Sequence, residues 1–325
     1  MTAGSGAPSA ADVSVVVVNY NTAHLLPEMW AALERARGGL NLQTIVIDNA
    51  SRDDSVALLR RDFPQAQLIV NPTNVGFGRA NNQAVPFITG RYVLLLNTDA
   101  FVAPDTLGKT VAYMDAHADC GILGVRLVGR DGTLQPSCRF FPTPWNVFLQ
   151  RTGLKRFFPG VRTVDDMAWD HASTRECDWV PGCYYLVRRE LIEQVGLFDP
   201  RYFLYYEEVD HCRVAKQAGW KVVYFADASV VHLGGESAKS DSELTASGRQ
   251  ISALQVESEL LYFRKHFGLA GVMVSALSSS LADGVDALKQ LLRWRESRRI
   301  GTSWSHFATL WSLAIRTRLG AWPTR

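Results

Sequence analysis

The stretch "VSVVVVNYNT", Val13–Thr22, decides how the chain is read. Its β-branched run leaves none of the polar gaps a surface helix shows, so it predicts a strand buried on both faces, as in a parallel sheet. Outward from it, strands and helices alternate. "AHLLPEMWAALERA" (23–36) has helical spacing and "LQTIVID" (42–48) is a second strand. "SRDD" (51–54) reads as a capping box ahead of a helix "SVALLRRDF" (55–63). "QLIV" (67–70) is a third strand, and "GFGRANNQAV" (76–85) a helix with a glycine-loosened start. "RYVLLL" (91–96) is a fourth strand, and "PDTLGKTVAYMDAH" (104–117) a helix opened by Pro-Asp. Such alternation between residues 13 and 117 is the signature of an α/β domain.

Ligands of parallel sheets bind at the carboxyl ends of strands. Polar groups collect at three such ends: Asn19-Tyr20-Asn21, Asp48-Asn49 and Asn97-Thr98-Asp99. Asp99 by itself suits a loop or helix cap, and Asp48 suits turn chemistry. Two acids side by side need a neutralising partner. A hydrated divalent cation with a diphosphate is one, because Mg²⁺ prefers one or two carboxylates plus phosphate oxygens.

Composition narrows the class. With 325 residues, 47% hydrophobic and 20% charged, the chain is ordinary globular material, and a net charge of +2 gives no case for nucleic acid. Cys120, Cys138, Cys177, Cys183 and Cys212 form no CxxC pair, so neither a zinc knuckle nor a disulfide framework is expected, and a cytoplasmic location fits. Residues 1–11 read as a loose tail with no signal-peptide pattern. Residues 12–242 read as one domain, with a nucleotide-binding half to about 117 and a mixed-sheet half from 118. Residues 243–325 read as helical.

In order along the chain, "VSVVVVNYNT", "IVIDNASRDDS", "NVGFGRANNQA", "LLLNTDA", "FDPRYFLYYEEVDHCRVAKQAGW" and "VVHLGGES" resemble the motifs of family 2 glycosyltransferases with the GT-A fold. Among these, the chain resembles bacterial rhamnosyltransferase-type enzymes of cell-surface glycan synthesis. The resemblance spans roughly residues 12–267 and rests on six motifs in order, since each motif singly is weak. It implies a Rossmann-like mixed sheet, a nucleotide-sugar donor (dTDP- or UDP-linked, with dTDP-rhamnose the leading choice), and a glycan or lipid-diphosphate-linked acceptor. It also implies inversion at the transferred carbon and Mg²⁺ or Mn²⁺ as cofactor.

The resemblance carries roles to particular residues. Tyr20 stacks near the nucleobase and Asp48 accepts its N–H. Asp99 matches the metal-binding acid of a D-x-D element, whose first position is here the uncharged Asn97. His232 joins the metal shell, which offers a partner for Asp99, although a lone histidine is more often structural. Asn81 and Asn82 line the sugar–diphosphate pocket. Trp179 and Gly182 face the acceptor, against an equal alternative as strand and turn residues. Glu207, Glu208 and Asp210 open a helix after the aromatic run "RYFLYY". They suit a solvated first turn. Held among aromatics, however, a carboxylate has a raised pKa and serves as a base. By position Glu208 takes that role, with Glu207 in reserve and Asp210 toward an acceptor hydroxyl.

Residues 289–325 hold eight Lys or Arg against Glu296, interleaved with Trp294, Trp304, Trp311 and Trp322. Together with the serine-interrupted apolar run before it, this segment reads as amphipathic helices and not a membrane span. They suit an anionic membrane surface at the inner face of the plasma membrane. Packing on the domain, or a homodimer interface, is the alternative. Asn97 and Glu208 depart from the family pattern and motivate a rival reading, a non-catalytic sugar-nucleotide or glycan-binding module. A sugar-nucleotide pyrophosphorylase is disfavoured because the first strand lacks a glycine- and lysine-rich sequel.

Overall fold

The computed structural model describes residues 11–165, 167, 169–234, 249–292 and 297–325. The predicted tail lies outside them except for Ala11, which is buried and whose carbonyl accepts the Arg91 N–H.

Strand β1 (Val13–Asn19) runs parallel to β2 (Leu42–Asp48) and β4 (Tyr92–Leu96), and β2 runs parallel to β3 (Gln67–Val70). Helices α1 (Leu26–Ala36), α2 (Ser55–Asp62) and α3 (Phe77–Asn82) fall between them in the chain. Val13, Val15 and Val17 enter one apolar layer with Leu26 and Leu33 of α1, while Val16 enters the opposite layer with Ile45 and Ile47. Burial on both faces is why β1 shows no polar alternation.

The capping box expected at Ser51 does not form. Its hydroxyl instead accepts the Asn21 N–H (2.9 Å) and an Asn19 amide N–H (3.0 Å), because the end of β1 lies against this loop. Asp53 holds the start of α2 through the Ser55 N–H at 3.1 Å. A capping box does form at Thr143 and Asn146, where α5 (Pro144–Thr152) begins.

Beyond β4 come β5 (Ala100–Val102), α4 (Thr106–Ala116), β6 (Cys120–Val128), β7 (Leu134–Gln135), then α5, β8 (Arg175–Glu176), β9 (Tyr184–Arg188), α6 (Arg189–Val195), α7 (Glu207–Gln217) and β10 (Lys221–His232). Among the described residues one mixed sheet has the order β3-β2-β1-β4-β9-β6-β10-β5, with β7 beside β6 and β8 beside β10. β9 is antiparallel to both β4 and β6, and so joins the two parallel groups.

Helix α8 (Arg249–Leu292) bends at Gly268 (φ 66°) and packs against α5 and α9 (Ser297–Arg316). The expected helical segment from 243 to 248 lies outside the described residues. Leu260, Leu261, Tyr262 and Phe263 of α8 share the apolar layer of Ile45, Tyr185 and Val209. By length and composition the stretch Ala253–Lys289 is apolar enough to cross a membrane, and a third of its most apolar window is buried in the fold. The chain then turns at Gly320 (φ 73°), where a Cβ would lie 2.2 Å from the Leu260 carbonyl oxygen, so only glycine fits. The last residues run back, and Thr324 donates from its N–H and hydroxyl to Glu257 at 2.6 and 2.8 Å.

Candidate active site

A cleft of about 300 Å³ opens at the carboxyl ends of β1 and β4. Tyr20 follows β1, and Asn97, Thr98 and Asp99 follow β4. Gly76 and Phe77 at the start of α3 form one wall. Gly76 has φ 91°, and a Cβ there would stand 2.5 Å from the Phe203 carbonyl oxygen, which accepts the Phe77 N–H at 2.8 Å. Glycine therefore lets α3 close against the 203–205 loop across the cleft.

Asp99 and His232 meet through sheet pairing. β5 runs antiparallel to β10 in the register Val102↔Val230 and Ala100↔His232, and Leu233 N–H bonds the Asp99 carbonyl at 3.0 Å. The His232 Nε2 lies 3.7 Å from Asp99 Oδ1, and both residues line the cleft. Burial lowers the His232 pKa and the Asp99 charge opposes that shift. Among the described residues no three His, Cys, Asp or Glu side chains converge as a metal cage. This carboxylate and imidazole form a two-donor edge. Such an edge fits a divalent ion whose other ligands come from a diphosphate.

Across the cleft stand Glu207 and Glu208. Tyr205 (φ 71°) and Tyr206 (φ 70°) take left-handed conformations in succession just before α7. Such conformations are strained for tyrosine and turn the chain so that the first turn of α7 enters the site. Burial, then the neighbouring Glu208, pushes the Glu207 carboxyl well above its ordinary value. Burial raises Glu208 too, and the Arg139 guanidinium pulls against it. Glu208 and Tyr205 also line a second cavity of about 500 Å³. Its walls include Trp179, Arg139, Arg151, Glu259 and His306. Trp179 is buried, donates its Nε1–H to the Phe140 carbonyl at 2.9 Å and carries Arg139 over its ring at 4.6 Å.

Of the residues named from sequence, Tyr20, Asn97, Asp99, Gly182, Glu207, Glu208 and His232 line the first cleft, and Trp179 the second cavity. Four others stand outside both. Asp48 is fully buried, its carboxylate accepting the Asn19 amide (2.8 Å) and the Ser51 N–H (3.0 Å). Asn81 donates to the Phe77 carbonyl, and Asn82 bonds both the N–H and C=O of Phe198. Asp210 accepts from Tyr202 (3.2 Å), Lys265 (2.6 Å) and His266 (2.6 Å). Sequence reasoning passed over Phe203, Tyr205, Arg139 and Gln135. Phe203 and Tyr205 both sit in the aromatic run "RYFLYY"; Arg139 and Gln135 follow no spacing rule.

A model of the family described as glycosyl transferase family 2 matches residues 14–169. These residues carry a family 2 glycosyltransferase domain, and the chain is a glycosyltransferase. The glycosyltransferase is 28% identical over 245 residues to an N-acetylglucosaminyl-diphospho-decaprenol L-rhamnosyltransferase of Mycobacterium tuberculosis, covering 70% of this chain and 78% of that one. It is 25% identical over 175 residues to the rhamnosyltransferase WbbL of Escherichia coli, covering 51% and 63%. In fold it is similar to the mannosyltransferase PcManGT from Pyrobaculum calidifontis, solved with GDP-Man and Mn²⁺. The TM-score is 0.54 at 17% identity, over 96% of this chain and 88% of that one. Staphylococcus aureus TarS with UDP gives a TM-score of 0.50 at 15% identity, over 95% and 92%. The GT-A fold of this glycosyltransferase is thereby established.

Proposed function

We propose that this glycosyltransferase moves a sugar, with inversion, from a nucleoside diphosphate donor to a hydroxyl of a glycan or lipid-diphosphate-linked glycan. dTDP-rhamnose is the leading donor, ahead of UDP-hexoses. The observation that carries this reading is Glu208, one carboxylate lining two cavities. A two-substrate transfer needs one group within reach of both partners. The donor occupies the cleft, with its base by Tyr20 and its diphosphate toward Asp99 and His232. The acceptor occupies the second cavity, against Trp179 and Tyr205. Deprotonated Glu208 takes the proton of the acceptor hydroxyl. The oxygen bonds to the anomeric carbon as the bond to the diphosphate breaks, and the nucleoside diphosphate leaves with the electron pair. Asp99 and His232 would hold Mg²⁺ or Mn²⁺, which when bound supplies positive charge against the leaving diphosphate. Asp48 braces this rim from beneath through Asn19 and Ser51.

The acceptor class follows the mycobacterial relative, whose name specifies a lipid diphosphate. A lipid-borne acceptor suits the outer faces of α8 and α9, where Val274, Leu277, Leu281, Trp304 and Ile315 are exposed. The basic 289–325 segment favours an anionic lipid surface over a second copy of the same charge. α8 lies on that surface without crossing it, because Glu257, Ser258 and Lys265 are bonded into the body of the molecule.

The deciding experiment mixes enzyme, Mn²⁺ and a panel of dTDP- and UDP-sugars with an N-acetylglucosaminyl diphosphate lipid analogue. NMR then reads the product's anomeric configuration. Transfer with inversion supports the proposal. Absence of both transfer and donor hydrolysis across the panel leaves the non-catalytic binding module as the function.

A further inference from the structure

His232 is held by a residue that no motif announces. Gln135 sits in β7, a two-residue strand paired with β6 in the register Leu127↔Gln135. Its side chain meets His232 twice. The amide Nε2 donates to the His232 carbonyl oxygen at 2.8 Å, and Oε1 lies 2.9 Å from His232 Nδ1. The chemistry of these two contacts admits one arrangement. A backbone carbonyl can only accept, so the NH₂ end of Gln135 faces it and the Oε1 end faces the ring. Oε1 can only accept as well, so Nδ1 is the nitrogen that carries hydrogen. A neutral imidazole has a single N–H. The lone pair is therefore on Nε2, the atom 3.7 Å from Asp99 Oδ1 on the donor side.

We propose that Gln135 is a positioning residue that locks His232 in its Nδ1–H tautomer and so presents the Nε2 lone pair, beside Asp99, to a cation in the donor cleft. Its orienting contact with the neighbouring backbone carbonyl makes the lock independent of whether an ion is bound. The same bonds fix the plane of the ring. An outer partner of this kind typically changes metal affinity by about 10- to 100-fold when removed. The tautomer itself rests only on the hydrogen bonds; its use toward a cation rests on the proposed metal-dependent transfer, and the two are tested separately.

The test uses the full chain with ¹⁵N-labelled histidine. His232→Gln assigns the His232 signals by difference. At neutral pH without metal, long-range ¹H–¹⁵N spectra are expected to show His232 with a protonated Nδ1 and a bare Nε2. Gln135→Leu is expected to shift it toward Nε2–H or a mixture. Gln135→Glu, whose carboxylate still accepts from Nδ1 but offers no donor to the His232 carbonyl, is expected to keep the proton on Nδ1. An Nε2–H signal in wild type, or an unchanged pattern in Gln135→Leu, overturns the proposal. In parallel, Mn²⁺ titration by electron paramagnetic resonance in the presence of UDP is expected to give about tenfold weaker binding for Gln135→Leu and near-wild-type binding for Gln135→Glu. Equal affinity in all three proteins overturns the positioning role. If wild type itself binds no Mn²⁺, the ion reading and the cation role of Gln135 fall together, while the tautomer lock stands or falls on the spectra.

Discussion

Glu207 and Glu208 are adjacent in one first turn, the former buried and the latter half-buried, and they differ in surroundings. Each has a buried carboxyl oxygen without a hydrogen-bond partner among the described residues, but Glu208 faces Arg139 and two cavities, whereas Glu207 lines one and is raised by the charge of Glu208. Glu208→Gln is expected to lower transfer by about 10²- to 10⁴-fold, with nucleotide affinity retained in calorimetry. Because burial raises the Glu208 pKa, the wild-type rate should climb about tenfold per pH unit before levelling off above the ordinary carboxyl value of 4.5. Glu207 gives a separate prediction on stability. Its folded pKa is raised, so the folded state keeps a proton that the unfolded chain releases. That contribution is complete below pH 4.5 and is lost as the pH rises through the raised value. Glu207→Gln should melt with wild type near pH 4 and above it at pH 8, by about 2–4 °C per kcal/mol regained. Equal melting curves at pH 8 would contradict this placement of Glu207.

The elements explain how distant residues reach one cleft. The pairing of β5 with β10 sets His232 opposite Ala100, and Asp99 follows from that register. The closure of α3 on the 203–205 loop depends on Gly76. Gly76→Ala is expected to cost more than about 1 kcal/mol in urea unfolding and to weaken nucleotide binding, because the Cβ meets the Phe203 carbonyl in a left-handed conformation. α7 is tied to α8 through Asp210, which meets Lys265 and His266 at 2.6 Å each. Asp210→Ala leaves His266 without its carboxylate and Lys265 with Asp199 as its remaining one, and should destabilise the fold by about 3–5 kcal/mol. A variant with wild-type stability but selectively raised acceptor KM would return Asp210 to the acceptor site.

At the scale of the molecule, α8 and α9 have two unlike sides. Inward they carry Leu260, Leu313 and Ala314 into the apolar layer beneath α7. Outward they expose Val274 (53%), Leu277 (55%) and Leu281 (59%), at a spacing that puts them on one side of α8, and Trp304 (65%) of α9. Trp145 and Phe158, in edge contact on the adjoining α5 side, are exposed as well. The chain should therefore sediment with phosphatidylglycerol vesicles and much less with neutral ones. Leu277→Glu with Leu281→Glu should release it while leaving the melting temperature unchanged. A concentration-dependent dimer in light scattering, abolished by the same pair and unaffected by lipid, would assign this face to a second copy.

The strand–helix alternation was legible because hydrophobic period is a local property, and β1 through α4 lie close to where valine runs and helical spacing put them. The capping box at Ser51 was misread because a hydroxyl that can cap a helix can equally bond a neighbouring strand end, and packing chooses. The position of several candidate residues was also legible: Tyr20, Asp99, Glu208 and His232 stand out in ordered motifs, and all four line the cleft. Only the tertiary structure decided that Asp48, Asn82 and Asp210 turn into the protein while Glu208 faces two cavities, and that Gln135 bonds the His232 ring and carbonyl. Those outcomes depend on strand register, on the left-handed pair Tyr205–Tyr206 and on which polar partners each buried group finds. Each is set by contacts between segments far apart along the chain, and no local pattern of residues carries that information.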